Sequence, residues 1–196
     1  MTMLAAPVRK KDIAEPTERL LSREEWDRLV EIGFFEGERL ELIEGRIIQM
    51  SPQRVPHRTA IEVVDHYVRR AFPEGYRICS QLPFRTADGS EPEPDFAVVA
   101  GDDPRAARQH PRSAVLIIEI SDTTLRQDLK KARLYAMTKV PEYWIINLVA
   151  RNMEVYRGPR TRKGVAAYQS SRTLKEQEEI TPLHASLPVK IADLLP

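Results

Sequence analysis

Two carboxylates stand in runs of residues that ordinarily exclude them. Asp95 opens the stretch Asp95-Phe96-Ala97-Val98-Val99, and Glu119 sits inside Val115-Leu116-Ile117-Ile118-Glu119-Ile120. An ionised group in such a strand costs several kcal/mol if it is desolvated and unpaired. On neighbouring strands the two carboxylates would lie side by side, and like charges that close need a counter-charge. Two partners would serve. An arginine across the sheet could pair with each acid, or one hard divalent cation could be held by both.

The segment after Glu119 adds a cation of its own. It reads as a helix over residues 123–137, and at about 100° per residue Asp128, Lys131 and Tyr135 share one stripe. Leu125, Leu129, Ala132 and Ala136 form the adjacent apolar stripe. Lys131 can therefore lean from the edge of the buried face toward the strands, while Lys130 points nearly the opposite way from Asp128. Asp-x-x-Lys on a helix also reads as a solvated surface pair. Tyr135 and Trp144 read as core residues, Tyr135 at its edge.

The elements that must position these residues follow from hydrophobic periodicity and turn residues. "LLSREEWDRLVEIG" is a helix with Ser22 at the N-cap and Glu25 at capping-box spacing. "RLELIEGRIIQMSP" alternates around Glu44-Gly45 as a hairpin. "HRTAIEVVDHYVRRAF" spaces Ile61, Val64, Val68 and Phe72 as a helix ended by Pro73. Strands follow at "YRICSQLPFRT" and at the two acid-bearing runs, which a charged loop, "GDDPRAARQHPRS", separates. After the 123–137 helix come a buried strand, "EYWIINL", and a hairpin around the basic loop "PRTRKG". The tail "LPVKIADLLP" reads as a short turn of helix. This order predicts an α/β domain: a mixed central β-sheet flanked by helices, with N-terminal and C-terminal β-hairpins. Residues 1–18 read as a flexible arm and 19–196 as a single domain.

Composition narrows the function classes. The chain has 196 residues, 42% hydrophobic and 30% charged, with a net charge of +1, so any basic nucleic-acid surface has to be local. One cysteine, Cys79, excludes an internal disulfide and a cysteine-rich zinc site, and fits a cytoplasmic protein. No apolar run is long enough for a membrane span. His57, His66, His110 and His184 show no zinc spacing, although His57 opens the second helix within reach of the strands or of a phosphate.

"EPDFAVV", "LIIEISD", "DLKKARLYA" and "VPEYWIINL" resemble, in order and spacing, the Uma-type restriction-endonuclease family, as do "RLELIEGRIIQMSP" and "PHRTAI". The resemblance spans roughly residues 20–195. It implies a restriction-endonuclease-like core of the PD-(D/E)xK superfamily, which presents metal-binding carboxylates. Asp95 then matches the metal-binding "PD" acid and Glu119 the second acid. Ser121 stands where the superfamily lysine would be, and Lys131 matches a lysine displaced to the helix. Glu41 matches an acid on the first hairpin, with Glu44 at the turn as its rival. Asp128 fits imperfectly, one residue nearer its lysine than the pattern. The backbone carbonyl of Ile120 could supply another ligand.

The set implied is Asp95, Glu119, Glu41 and Ile120 as ligands of Mg²⁺ or Mn²⁺, with Asp95, Glu119, Glu41 and Lys131 as the catalytic group. Such a cation polarises a scissile phosphate and acidifies bound water, and a nearby lysine stabilises developing negative charge. The expected activity is metal-dependent hydrolysis of double-stranded DNA by a homodimer. Arg126, Lys130, Arg133 and "RGPRTRKG" are available for backbone phosphates, and nothing in the chain identifies bases. Two other readings compete: a catalytically silent DNA-binding or regulatory module on the same fold, and a structural protein whose Asp95 and Glu119 pair with arginines.

Overall fold

The computed structural model describes residues 17–101 and 109–196. Residues 1–16 of the expected arm and 102–108 of the charged loop lie outside the described residues.

Helix α1 (Arg23–Glu31) starts at Ser22, whose side chain accepts the Glu25 amide while Glu25 reaches back, the capping box expected from sequence. Strands β1 (Leu40–Ile43) and β2 (Arg46–Gln49) form the first hairpin as a separate two-stranded sheet. Its turn residues Glu44 and Gly45 both have positive φ, 51° and 79°. A side chain at Gly45 would meet Leu20 at 2.7 Å, so this turn is closed against the segment entering α1. Helix α2 (Val55–Ala71) begins two residues earlier than the His57 start read from sequence, because Pro56 suits a first helical turn.

The central sheet has six strands in the order β3-β4-β5-β6-β7-β8. These are β3 (Tyr76–Ser80), β4 (Phe96–Ala100), β5 (Leu116–Ser121), β6 (Glu142–Asn147), β7 (Asn152–Arg162) and β8 (Val165–Lys175). Only β5 and β6 run parallel, joined by α3 (Leu125–Met137); every other neighbour is antiparallel. The sheet is therefore mixed, as the element order predicts. Two readings change. The basic stretch "PRTRKG" is mostly strand, since the turn is only Lys163-Gly164, both at positive φ, the two-residue geometry that suits strand twist. The tail forms a short strand β10 (Val189–Lys190) paired with β9 (Glu179–Ile180) before its 3₁₀ turn at Ala192–Leu194.

Alternation along the strands divides the core in two. Phe96, Val98, Leu116, Ile118, Ile120, Trp144 and Ile146 face α2 (Ala60, Val64, Val68) and the C-terminal tail. Ala97, Val99, Ile117, Tyr143 and Ile145 face the other way and pack with Tyr135 of α3. Asp95 and Glu119 have the parity of this second set, and Glu119 meets Lys131 and Tyr135 of α3. The expected apolar stripe of α3 is corrected here. Leu129 is 42% exposed, and the buried face holds Asp128, Lys131, Leu134, Tyr135 and Ala136. Polar partners on the sheet and the first hairpin turn this stripe inward.

Candidate active site

Four elements and one loop build the site. Asp95 stands one residue before β4, and the register Phe96↔Ile118 sets it beside Glu119 of β5 on the same face. Asp95 Oδ2 accepts the Ile120 amide at 2.7 Å, and its Oδ1 lies 3.1 Å from His57 Nε2 in the first turn of α2. The loop preceding β4 reaches the hairpin, where the Glu93 amide donates to Glu41 Oε1 at 2.8 Å. From α3, Lys131 Nζ bridges two acids, 2.7 Å from Glu41 Oε1 and 3.2 Å from Glu119 Oε1. The Tyr135 hydroxyl donates to the same Glu119 oxygen at 2.8 Å. Glu41, Asp95, Glu119, Asp128 and Lys131 are all at most 8% exposed, yet they line an open cleft with His57, Arg39 and Arg54.

These positions decide between several readings of the sequence. Glu41 and Glu119 converge on Lys131, and Asp95 lies beside Glu119. Lys130 is exposed, as helix geometry predicts. Glu44 is at the turn, half-exposed and ion-paired with Arg133. Among the described residues neither Asp95 nor Glu119 pairs with an arginine, which removes the observation the structural-protein reading needs. Asp128 is not a surface pair: it is buried and accepts the Thr124 hydroxyl at 2.7 Å. Tyr135 is fully buried and bonded to Glu119 rather than at the core edge. Sequence reading missed Asp122, which lies 3.5 Å from Arg54 in the cleft, and Thr124. Their only signal was adjacency to Glu119 and Asp128.

The charges do not balance. Glu41, Asp95, Glu119 and Asp128 face one ammonium and one imidazole. Burial, with the Asp128, Asp95 and Glu41 carboxylates, pushes Glu119 well above the usual carboxylate range against the pull of Lys131. Burial likewise raises Asp128 to about 6, against Lys131 and Thr124. Burial would lower His57, but Asp95, Asp122 and Asp128 hold its imidazolium above the ordinary value. Burial opposes the Lys131 charge too, and Glu119 and Glu41 outweigh it. Surplus negative charge carried on oxygens is the chemistry of a hard-cation site. Among the described residues no three acidic or imidazole side chains already converge at coordination distance, and the Lys131 ammonium stands between Glu41 and Glu119.

The Asp128 shift has a measurable consequence. Its carboxyl titrates at about 6 in the folded chain against an ordinary 3.8, so its stabilising contribution is complete below the lower value and lost as pH rises through the higher. Without added cation, Asp128→Asn should therefore gain stability relative to the unsubstituted protein as pH goes from 4 to 7. Thermal unfolding midpoints of both proteins across that range would show it. A difference independent of pH would contradict the burial assigned to Asp128.

A family profile described as "Putative restriction endonuclease" matches residues 23–192. The chain belongs to the Uma2 family. No curated protein matches it. A crystal structure from Anabaena variabilis ATCC 29413, described as "a putative nuclease belonging to DUF820", superimposes with a TM-score of 0.61 at 21% identity. The match covers 89% of this chain and 97% of that one. At that identity the likeness shows the fold, and the restriction-endonuclease-like architecture expected from sequence stands. Glu41, Asp95, Glu119 and Lys131 all fall within the Uma2 match.

Proposed function

We propose that this Uma2 protein is a metal-dependent endonuclease that hydrolyses phosphodiester bonds of double-stranded DNA. The observation that carries the reading is the convergence of Glu41 and Glu119 on the single lysine Lys131, with Asp95 beside them, in a cleft with surplus negative charge. Asp95, Glu119, Glu41 and the Ile120 carbonyl would hold Mg²⁺ or Mn²⁺. Such a cation polarises the scissile phosphate and acidifies a bound water. Lys131 has the position to stabilise charge that accumulates on the phosphate oxygens. The Tyr135 hydroxyl orients Glu119, and His57 with the Ile120 amide orients Asp95. The exposed Arg126 and Lys130 are placed to meet backbone phosphates, whereas Arg54 in the cleft is paired with Asp122 and Arg133 with Glu44.

One observation favours the second reading, a catalytically silent DNA-binding or regulatory module: Lys131 already satisfies one oxygen each of Glu41 and Glu119. Incubation with supercoiled plasmid separates the two. The nuclease reading expects nicked and linear products with Mg²⁺ or Mn²⁺ and none with EDTA. Retarded but uncut DNA under every cation condition would support the silent module instead.

The proposal extends to a homodimer, because cutting both strands of a duplex is served by two sites related by two-fold symmetry. Leu183 and Leu187 near the C-terminus, each 51% exposed, are apolar surface available for such contact. Sedimentation at micromolar concentration should give a dimer. A monomer there would refute this extension.

A further inference from the structure

Glu41 is carried by a hairpin that, among the described residues, pairs with no strand of the main sheet. Among the described residues its one β-bridge outside the hairpin is Leu42↔Glu91, with Glu91 N donating to Leu42 O at 2.7 Å and Leu42 N to Glu91 O at 3.3 Å; the turn is held besides by Leu21 N donating to Gly45 O at 2.9 Å and Glu44 N to Ser90 Oγ at 2.8 Å. Glu91 is a buried acid with no place in the cleft chemistry. Its side chain turns toward α1 and accepts two hydrogen bonds, from Trp26 Nε1 at 3.0 Å and Arg23 Nη2 at 2.5 Å, with the Arg85 guanidinium as a further ion-pair partner at 3.4 Å. Arg23 and Arg85 are themselves tied by Asp27, at 2.7 Å and 3.2 Å. Two residues on, Glu93 N holds Glu41 Oε1, and the intervening Pro92 restricts the backbone between the two grips.

We infer that Glu91 is a positioning residue: anchored by Trp26, Arg23 and Arg85, it fixes the hairpin so that Glu41 meets Lys131 and the cation. The inference rests on the proposed cation site. Asp95 is held separately, by β4, the Ile120 amide and His57, so the clamp acts on Glu41 and leaves Asp95 in place.

The test compares Glu91→Gln and Arg23→Gln, which weaken the clamp from its two sides, with Glu41→Gln and the double variant Glu91→Gln/Glu41→Gln. Calorimetric titration with Mn²⁺ alone measures affinity, and hydrogen exchange measures the Leu42 and Glu93 amides. Partners of ligand-bearing groups typically change metal affinity by about 10–100-fold, and that loss is expected for Glu91→Gln. It should vanish in the Glu41→Gln background, since coupled sites are not additive. The Leu42 and Glu93 amides should exchange faster, with those of β5 and β6 unchanged. Unchanged Leu42 and Glu93 exchange overturns the clamp, as does an equal affinity loss with and without Glu41. If Glu91→Gln does not fold, Arg23→Gln is read by the same two measurements. Failure of the unsubstituted protein to bind Mn²⁺ overturns the cation reading instead, and the exchange result still decides the clamp.

Discussion

Replacing Lys131 with methionine should slow plasmid cleavage by roughly a hundred- to thousand-fold while leaving cation binding largely intact. Losing one electrostatic contact to developing charge typically costs about 2.7–4 kcal/mol of transition-state stabilisation. Methionine keeps the aliphatic stem and removes the ammonium that bridges Glu41 and Glu119. Alanine would also open a void beside Tyr135, mixing packing loss with chemistry. Either change leaves two buried carboxylates without their counter-charge, and breaking a buried pair in this way costs about 3–5 kcal/mol. Added Mn²⁺ should restore part of that stability, because the carboxylates then have a cation again. Lys130→Ala is the control. That side chain is exposed on the neighbouring face of α3, so it can lose only a phosphate or surface contact. Equal losses in the two variants would mean a diffuse basic patch and would remove the specific role given to Lys131.

Asp95→Ala should reduce cleavage further, by about a thousand-fold or more, because a cation contributes several kcal/mol of charge stabilisation that depends on its ligands. The same change strips the buried Ile120 amide of its acceptor, at a cost of about 1–3 kcal/mol, and releases His57. Asp95→Asn keeps an oxygen in reach of that amide and separates the two effects. It should fold with a thermal midpoint nearer the unsubstituted protein and still fail to cut. An Asp95→Asn variant that cuts at the normal rate would exclude Asp95 from the cation site.

Residues with local signals were legible from sequence. The apolar runs of β4 and β5 mark Asp95 and Glu119 as acids of consecutive strands, and the register Phe96↔Ile118 then sets them opposite one another. The helical stripe of α3 separates Lys131 from Lys130 by geometry alone. Glu41 was legible only through family resemblance, since nothing in "LELIEG" states that its hairpin meets α3, 90 residues further on. The orientation of α3 was misread for a related reason: its apolar stripe looked like the buried one, but the pairing of Lys131 with Glu41 and of Tyr135 with Glu119 leaves Leu129 in solvent. The anchoring of Glu91 by Trp26, Arg23 and Arg85 joins three separate segments, and no periodicity encodes it. The "PRTRKG" stretch misled because its composition suits a loop while its partners in β8 keep most of it extended.

The central claim is that the acidic cleft holds a divalent cation through Asp95. Isothermal titration of Mn²⁺ into the unsubstituted protein and into Asp95→Asn, both verified as folded, tests it most directly. The expected result is saturable binding by the former and loss of that binding in the latter. Indistinguishable isotherms, whether both bind or neither does, would contradict the claim.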